Sequence, residues 1–549
     1  VKQVASASAE RPQTQAILRS GNLQSPTELS GLCLLKILLI LKHPVNPVRL
    51  LLHQFIGERI MRPRFIARCV ALVMLCLLLT LPATTFSGKT AGEYDVVIIG
   101  GRVMNPETGL DAVRNLGIRD GKIQAITAQM LHGRQQINAR GLVIAPGFID
   151  LHVHDMHDEH HRAQAMDGVT TALELEIGTA DVDAWYAERQ GRTLVNYGVS
   201  IGHVPVRMKV MNDPGTFVPT GEAAYRPTND NDLREMKRLL QRGLERGAVA
   251  VGFGINYTAA ASRWEIIEMF RLAAEYHASC HVHMRYPGLA EPMNCIAALG
   301  EVIAAAAITG APLHVVHITS MAFGDTPHAL EMMRGARVRG LDVTTECYPY
   351  TAGMTRLDSA IFDEGWQQRL GIGFGDLQWV TTGERLTAES FARYRQYGGL
   401  VAIHSMAPEI VKMAIADPLT MIASDGILKD GKGHPRSSGT YSRVLGEYVR
   451  EQQALPLMEA LRKMTLAPAR RLERRVPMMK NKGRIRIGAD ADLTVFDPQR
   501  IRDTATYSEP AKYAEGIRYV MVNGIAVVND GKLVSNVVPG SAVRAPIGK

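Results

Sequence analysis

From Tyr94 onward the chain alternates short apolar runs with longer amphipathic stretches. "TALELEIG", "GAVAVGFGI", "SCHVHM", "LHVVHI", "LDVTTE", "GLVAIH" and "TMIASDG" read as strands. Between them, "DLREMKRLLQRGLE", "ASRWEIIEMFRLAAEYH" and "TPHALEMMRGARVRG" carry apolar residues at helical spacing. Alternation on this scale predicts a parallel sheet covered by helices, either a barrel or a doubly wound sheet. No G-x-G-x-x-G with a dinucleotide context occurs, and polar residues gather where the strands end. Both features favour a (β/α)8 TIM-type barrel. The flanks differ in character. "YDVVIIGGRVMNPETG" is a strand and turn, and "VRNLGIRDGKIQAI" is a hairpin turning at Asp120-Gly121. "GRIRIGADADLTVFDP" and "VMVNGIAVVNDGKLV" repeat this short-strand, Gly-rich pattern near the other end. The expected organisation is a barrel over 146–472 and a small β-sandwich domain built from 91–145 and 473–549.

Charge changes the picture only at the start. Residues 1–90 hold 11 basic and 3 acidic residues, and the rest of the chain balances at 51 of each. The formal excess of +8 therefore lies in the first 90 residues, and a neutral body gives no electrostatic case for nucleic acid. Met61 opens "MRPRFIARCVALVMLCLLLTLPATTFSG", a basic start followed by roughly 13 apolar residues, the layout of a secretory signal. That run is short of the ~20 residues that span a bilayer. Residues 61–90 are expected to be a signal peptide or membrane anchor. Residues 1–60 are expected to be an unstructured upstream extension, with translation starting at Met61. Three of the six cysteines fall in this first segment. Cys280, Cys295 and Cys347 remain, with no C-x-x-C, which argues against a disulfide scaffold and a cysteine zinc site.

The candidate chemistry lies at strand ends. In "IAPGFIDLHVH", His152 and His154 are two apart on a strand and so face the same way. "ALELEIG" places Glu174 and Glu176 on one face, and buried carboxylates are costly unless paired or on metal. His283, with His281 in phase, ends "CHVH". His317 ends "LHVVH", and Asp425 follows "MIAS". Paired histidines, a carboxylate, two more histidines and an aspartate at successive strand ends form a ligand inventory for one or two Zn2+ ions. His157, His160 and His161 are read as loop or helix-start residues. His404 ends a candidate seventh strand, where it could line the pocket or simply pack.

These motifs carry a resemblance. The chain resembles the metal-dependent amidohydrolase superfamily, and within it the N-acyl-D-amino-acid deacylases, or D-aminoacylases. "APGFIDLHVH" and "GADADLTVFDP" carry the superfamily likeness. "GHVPVRMKVM", "GAVAVGFGINY", "HMR", "YPYTAG" and "SDG" with "GHPRSSGTYSRVLGEYV" carry the narrower one. The resemblance implies that His152 and His154 bind the more buried metal, that a strand 2 residue bridges, and that His283 and His317 bind the second metal. It makes Asp425 a proton shuttle and possible ligand, and Tyr350 and Arg436 the grip on the substrate carboxylate. Two positions depart from the family pattern. Strand 2 carries no cysteine, so Glu176 is taken as the bridge with Glu174 as the alternative; Lys209 and Lys237 look misplaced for a carbamylated bridge. Thr319 stands two residues after the strand 6 histidine, where a lysine is common.

The activity that this resemblance implies is hydrolysis of linear amides other than peptide bonds. The enzyme would release a carboxylic acid and a free D-amino acid from N-acyl-D-amino acids. A dipeptide, cyclic amide, lactone or other amide substrate stays open, and so does a barrel that only binds. The expected partner is a small-molecule substrate, with no nucleic acid, and with membrane contact only through an uncleaved anchor. The expected location is periplasmic or secreted.

Overall fold

A computed structural model of the protein describes residues 93–548. The stretches assigned above to an upstream extension and to a signal or anchor lie outside the described residues. Among the described residues, no helix is long and apolar enough to cross a membrane.

Five strands open the described chain: β1 (Tyr94–Asn105), β2 (Leu110–Arg119), β3 (Lys122–Thr127), β4 (Gly133–Asn138) and β5 (Val143–Pro146). The β2–β3 hairpin turns through Asp120 and Gly121, both at positive φ, as the Asp-Gly pair predicts. β1 is bent by a register shift between Ile98 and Gly101. Its first half pairs in parallel with β4 and its second half with β5.

Eight parallel strands form the central sheet. They are β6 (Phe148–Asp150), β7 (Val169–Thr179), β8 (Asn196–Gly202), β9 (Val251–Gly254), β10 (Cys280–His283), β11 (Leu313–Val315), β12 (Val343–Cys347) and, after an insertion, β16 (Thr420–Ile422). The two edge strands meet just beyond their ends. Asp425 N donates to His152 O at 2.7 Å, and His154 N donates to Gly426 O at 2.9 Å. Asp150 ties the same seam, since its Oδ1 accepts from His152 N and Ser424 N at 3.1 and 3.0 Å. The barrel expected from the strand–helix alternation is thereby closed.

Two sequence expectations need correction here. Strand 3 of the barrel is "NYGVSIG", which the apolar pattern passed over, and strand 7 is Val343–Cys347. "GLVAIH" is not a barrel strand. It forms β15 (Leu400–His404), which pairs with β13 (Ala352–Arg356) and β14 (Leu377–Trp379) in a separate antiparallel sheet inserted between strands 7 and 8.

Helices are set by local signals. Asn229 caps the helix Asp230–Glu245 by accepting from the N–H groups of Asn231 and Asp232, and Ser262 caps Arg263–Glu275. The apolar faces of these helices, through Met236, Leu240, Ile266 and Phe270, join the barrel's main core.

After a short hairpin of β17 (Leu428–Lys429) and β18 (Lys432–Gly433), the chain returns to the first sheet with β19 (Leu493–Phe496), β20 (Ile517–Val522), β21 (Ile525–Asn529) and β22 (Lys532–Leu533). β19 pairs with β5, so strands from both chain ends join in one nine-stranded sheet. That sheet has a core of its own, including Val96, Ile98, Leu116, Ile144 and Val495. The last stretch was expected within this domain, but it runs back along the barrel. Tyr197 N donates to Ser541 O at 3.1 Å, and Val543 N donates to Tyr197 O at 2.7 Å. β9 pairs only with Ile201 and Gly202 of β8, and this tail satisfies backbone groups left at the start of that strand.

Candidate active site

The residues singled out from the sequence converge at the C-terminal end of the barrel. His152 and His154 follow β6, Glu176 lies in β7, and His283 ends β10. His317 follows β11 and Asp425 follows β16. Three overlapping groups, His152–His154–Glu176, Glu176–His283–His317 and His152–His317–Asp425, each bring their ligand atoms within 4.8 Å of one another. His317 and Asp425 have φ of 32° and 51°, left-handed values that non-glycine residues seldom adopt. Such backbone persists where surrounding structure over-determines it, and functional sites collect it.

Glu176 occupies the middle. Its Oε2 lies 3.2 Å from His152 Nε2 and 3.1 Å from His154 Nε2. Its Oε1 lies 2.7 Å from His283 Nδ1 and 3.5 Å from His317 Nε2. One carboxylate thus spans two histidine pairs. Glu174, the alternative, is turned elsewhere: its Oε2 is 2.8 Å from His154 Nδ1, and its Oε1 accepts from the N–H groups of Ile177 and Gly178. Strand 4 passes tightly behind this point. A Cβ at Gly252 would collide with the carbonyl oxygens of Leu175 and Glu176, so only glycine fits. Lys209 is exposed and Lys237 is ion-paired with Glu268, so neither reaches the site.

Whether these residues suit a cation can be judged from their outer contacts. His152 Nδ1 is 2.7 Å from Glu346 Oε1, as His154 Nδ1 is 2.8 Å from Glu174 Oε2. Ionised carboxylates only accept, so each Nδ1 carries the hydrogen and each neutral ring turns an Nε2 lone pair inward. The two Nε2 atoms are 3.1 Å apart. Lone pairs facing each other at that distance, beside two carboxylates, fit a shared cation. The electrostatics agree. Burial opposes charge on His152, yet Asp425 and Glu176 outweigh it and push its pKa up to about 10, so the site demands positive charge, from a proton on this ring or from a metal in its place. Burial raises Glu176 and Asp425, but the surrounding histidines, and Arg436 for Asp425, hold both well below the usual carboxylate range. Imidazole and carboxylate together are a zinc-type donor set.

Above this floor is a cavity walled by Phe217, Tyr257, Met321, Phe323, Tyr348 and Met354, among others. Residues of the inserted sheet, including Met354, Thr355 and Ile403, form one side. Among the described residues, its lining contains no lysine or arginine.

Four positions singled out from the sequence lie outside the cavity lining, and two of them, Tyr350 and Arg436, were expected to grip the substrate. Tyr350 is not in the cavity lining: its hydroxyl lies near Asp503 Oδ2 (3.3 Å) and Pro435 O (3.4 Å), and Arg443 covers its ring. Tyr348, two residues earlier, lines the cavity with its hydroxyl unpartnered. Arg436 is fully buried one layer back, its guanidinium 4.5 Å over the Tyr348 ring and its Nη2 2.8 Å from Asp425 Oδ2. That contact lacks hydrogen-bond direction, so all three guanidinium nitrogens keep donor capacity. Thr319 is buried outside the lining, which Ser320 joins instead. His404 bonds Gln378 Oε1 at 3.0 Å and also stays out of it.

Glu346 escaped sequence reading. It bridges His152 and His314, whose Nε2 is 2.9 Å from Glu346 Oε2, at the centre of the barrel. Its position two residues after Thr344 on one strand face was the available signal. "GHVPVRMKVM" proves structural. Arg207 Nη1 donates to both carboxylate oxygens of Glu265, which also meets His203, all three fully buried.

Comparison with known proteins agrees with this architecture. The sequence pattern of the amidohydrolase family matches residues 208–528. N-acyl-D-glutamate deacylase of Alcaligenes xylosoxydans xylosoxydans is 29% identical, covering 79% of this chain and 94% of its own. D-aminoacylase of the same organism is 28% identical, covering 80% and 96%. N-acyl-D-glutamate deacylase of Bordetella bronchiseptica, solved with zinc and a phosphonate inhibitor that mimics the tetrahedral intermediate, superposes with a TM-score of 0.71. It is 28% identical and covers 82% of this chain and 100% of its own. The barrel with its metal-type cluster defines an amidohydrolase. The chain belongs to the D-aminoacylase branch of that family.

Proposed function

We propose that this protein hydrolyses the amide bond of N-acyl-D-amino acids, releasing a carboxylic acid and a free D-amino acid. The observation that carries this reading is Glu176 set between two histidine pairs, with Asp425 beside them, at the floor of a cavity. His152, His154 and Glu176 would hold one zinc ion, and Glu176, His283 and His317 a second. Bound there, such ions polarise a carbonyl and acidify water.

The rest falls to the chain's own groups. Asp425 Oδ1 lies 3.4 and 3.3 Å from His152 Nε2 and His154 Nε2. From that position it takes the proton of the attacking water and delivers it to the departing nitrogen, which would otherwise leave as a poor anion. Arg436 keeps Asp425 ionised and ready to accept. The Tyr348 hydroxyl, unpartnered in the cavity wall, is the donor offered to the substrate's α-carboxylate, and the Arg436 guanidinium stacked behind its ring adds positive potential there. The inserted sheet and the aromatic wall exclude bulk water from the reacting bond.

The test is amine release from N-acetyl-D- and N-acetyl-L-amino acids by the zinc-loaded protein. D-selective release, lost at least ~10³-fold in Asp425→Asn, is the expected result. No release from either hand with zinc bound would overturn it and point to a dipeptide, cyclic amide or lactone.

We also propose export to the bacterial periplasm. The basic-then-apolar layout of residues 61–90 supports this. Recovery of the protein only from the cytosol on fractionation would overturn it.

A further inference from the structure

A second cavity, of about 300 Å3, opens at the opposite end of the barrel. Its wall includes Ser279, Pro312, Asp342 and Thr344, which lie at or just before the starts of β10, β11 and β12. It therefore lies away from His283, His317 and Asp425. Five arginines line it: Arg337, Arg462, Arg470, Arg471 and Arg474.

The lining is poorly neutralised. Arg462 is satisfied by Glu459 at 2.6 Å. Asp342, the one carboxylate among the described residues of the wall, pairs with Arg471 at 2.6 Å. Arg474 meets only His277 Nδ1, at 3.1 Å, and no ion pair serves Arg337 or Arg470 among the described residues. Arg471 adds an independent sign. Its side chain is 2% exposed, yet its Nε is buried without a hydrogen-bond partner. Burial weakens its hold on its proton, Asp342 offsets this only in part, and Arg337 adds to it.

Local helix energetics explain some of these cations. Arg337 and Arg470–Arg471 lie in the last turns of two helices, Thr326–Val338 and Leu466–Leu472, where the dipole favours positive charge. That does not account for two such ends converging on one cavity with a single carboxylate. Like charges held together without counter-ions are costly, and an anion relieves the cost.

We propose that this cavity is a binding site for a small phosphate-bearing anion. Guanidinium groups meet phosphate oxygens in paired hydrogen bonds, and several can share one tetrahedral group. The volume admits a phosphomonoester as well as the free ion. Nothing in this proposal depends on the reaction proposed above.

The test is isothermal titration of the zinc-loaded full chain with inorganic phosphate, and separately with glycerol phosphate, at ionic strength fixed with sodium chloride. Saturable binding of phosphate is expected, weakened at least tenfold in an Arg470→Ala/Arg474→Ala double variant. Both side chains belong to exposed residues, so circular dichroism should stay unchanged. Asp342→Asn, which removes the competing carboxylate, should tighten binding about threefold or more, a gain that misfolding cannot imitate. Tighter binding of glycerol phosphate would assign the site to an organic phosphate, and preference for the inorganic ion to free phosphate. Absence of binding above the chloride background overturns the proposal. Equal affinity in the double variant does so too, because it would locate the phosphate elsewhere, the metal cluster included.

Discussion

Replacing Glu346 tests the logic of the site more sharply than replacing a ligand. Glu346 is 1% exposed and holds His152 Nδ1 at 2.7 Å and His314 Nε2 at 2.9 Å. Glu346→Ala leaves the His152 Nδ1 hydrogen without an acceptor inside the barrel, and it strands His314 Nε2 even when that ring turns its hydrogen to Thr344 Oγ1. Each orphaned buried polar group costs about 1–3 kcal/mol. The same change frees the His152 ring to turn and lowers its basicity, and losing such an outer partner costs about 10–100-fold in metal affinity. Glu346→Gln separates charge from geometry. Its amide oxygen can face His152, and its NH2 can face His314 if that ring moves its hydrogen to Nδ1. There Thr344 Oγ1 stands 2.8 Å away to accept it. The glutamine variant should therefore stay near wild-type stability and lose zinc affinity about tenfold, whereas the alanine variant should lose about 100-fold and melt earlier. Zinc competition against a chelator reads the affinity, and thermal denaturation reads the stability. At saturating zinc, the glutamine variant should recover most of its turnover. Wild-type zinc affinity in both variants, with only the melting temperature lowered, would refute the argument and leave Glu346 as a core residue.

Other consequences are as direct. The described cavity lining holds no lysine or arginine, so a second carboxylate on the substrate would be buried unpaired. That penalty is at least about 3 kcal/mol, and kcat/KM for N-acetyl-D-leucine should exceed that for N-acetyl-D-glutamate by about 10²-fold; parity between them would show a cation reaching the side chain. Arg436→Met should raise KM for N-acetyl-D-leucine about tenfold or more and also lower kcat, since it removes the positive charge behind Tyr348 and leaves Asp425 without its cation. Glu265→Gln breaks a buried pair with Arg207 and should cost about 3–5 kcal/mol in denaturant unfolding. Burial raises Glu265, but His203 and Arg207 outweigh it and lower its pKa to about 2. A depressed carboxylate stabilises the fold above its unfolded pKa and loses that contribution as pH falls through the folded value. The wild type should therefore lose stability between about pH 4.5 and 2 through this group, and the glutamine variant should lack that component.

How much could be read from the sequence depends on how far each feature reaches along the chain. His152 and His154 were legible because a two-residue repeat on a strand fixes a shared face, and the same repeat brought Glu174 and Glu176 into view together. Periodicity could not separate those two carboxylates. What distinguishes them is depth along the strand: Glu174 is turned back onto His154 Nδ1 and the N–H groups of Ile177 and Gly178, and Glu176 reaches the centre. "NYGVSIG" was missed because glycine and serine dilute its apolar signal. "GLVAIH" was misplaced because a barrel strand and an inserted antiparallel strand bury the same kind of run, and only the partner strand decides. Tyr350 was preferred to Tyr348 for a related reason. Both follow the end of β12, where the strand repeat stops, so sequence cannot say which ring faces the cavity. The arginine-lined cavity is assembled from helix ends and strand starts between His277 and Arg474, and no local pattern announces it. Features encoded within a few residues were readable, and those created by closure of the barrel were not. The catalytic end was legible for that reason: five of the eight strands deliver the ligands at their own ends, so the site is a sum of local signals brought together by one fold.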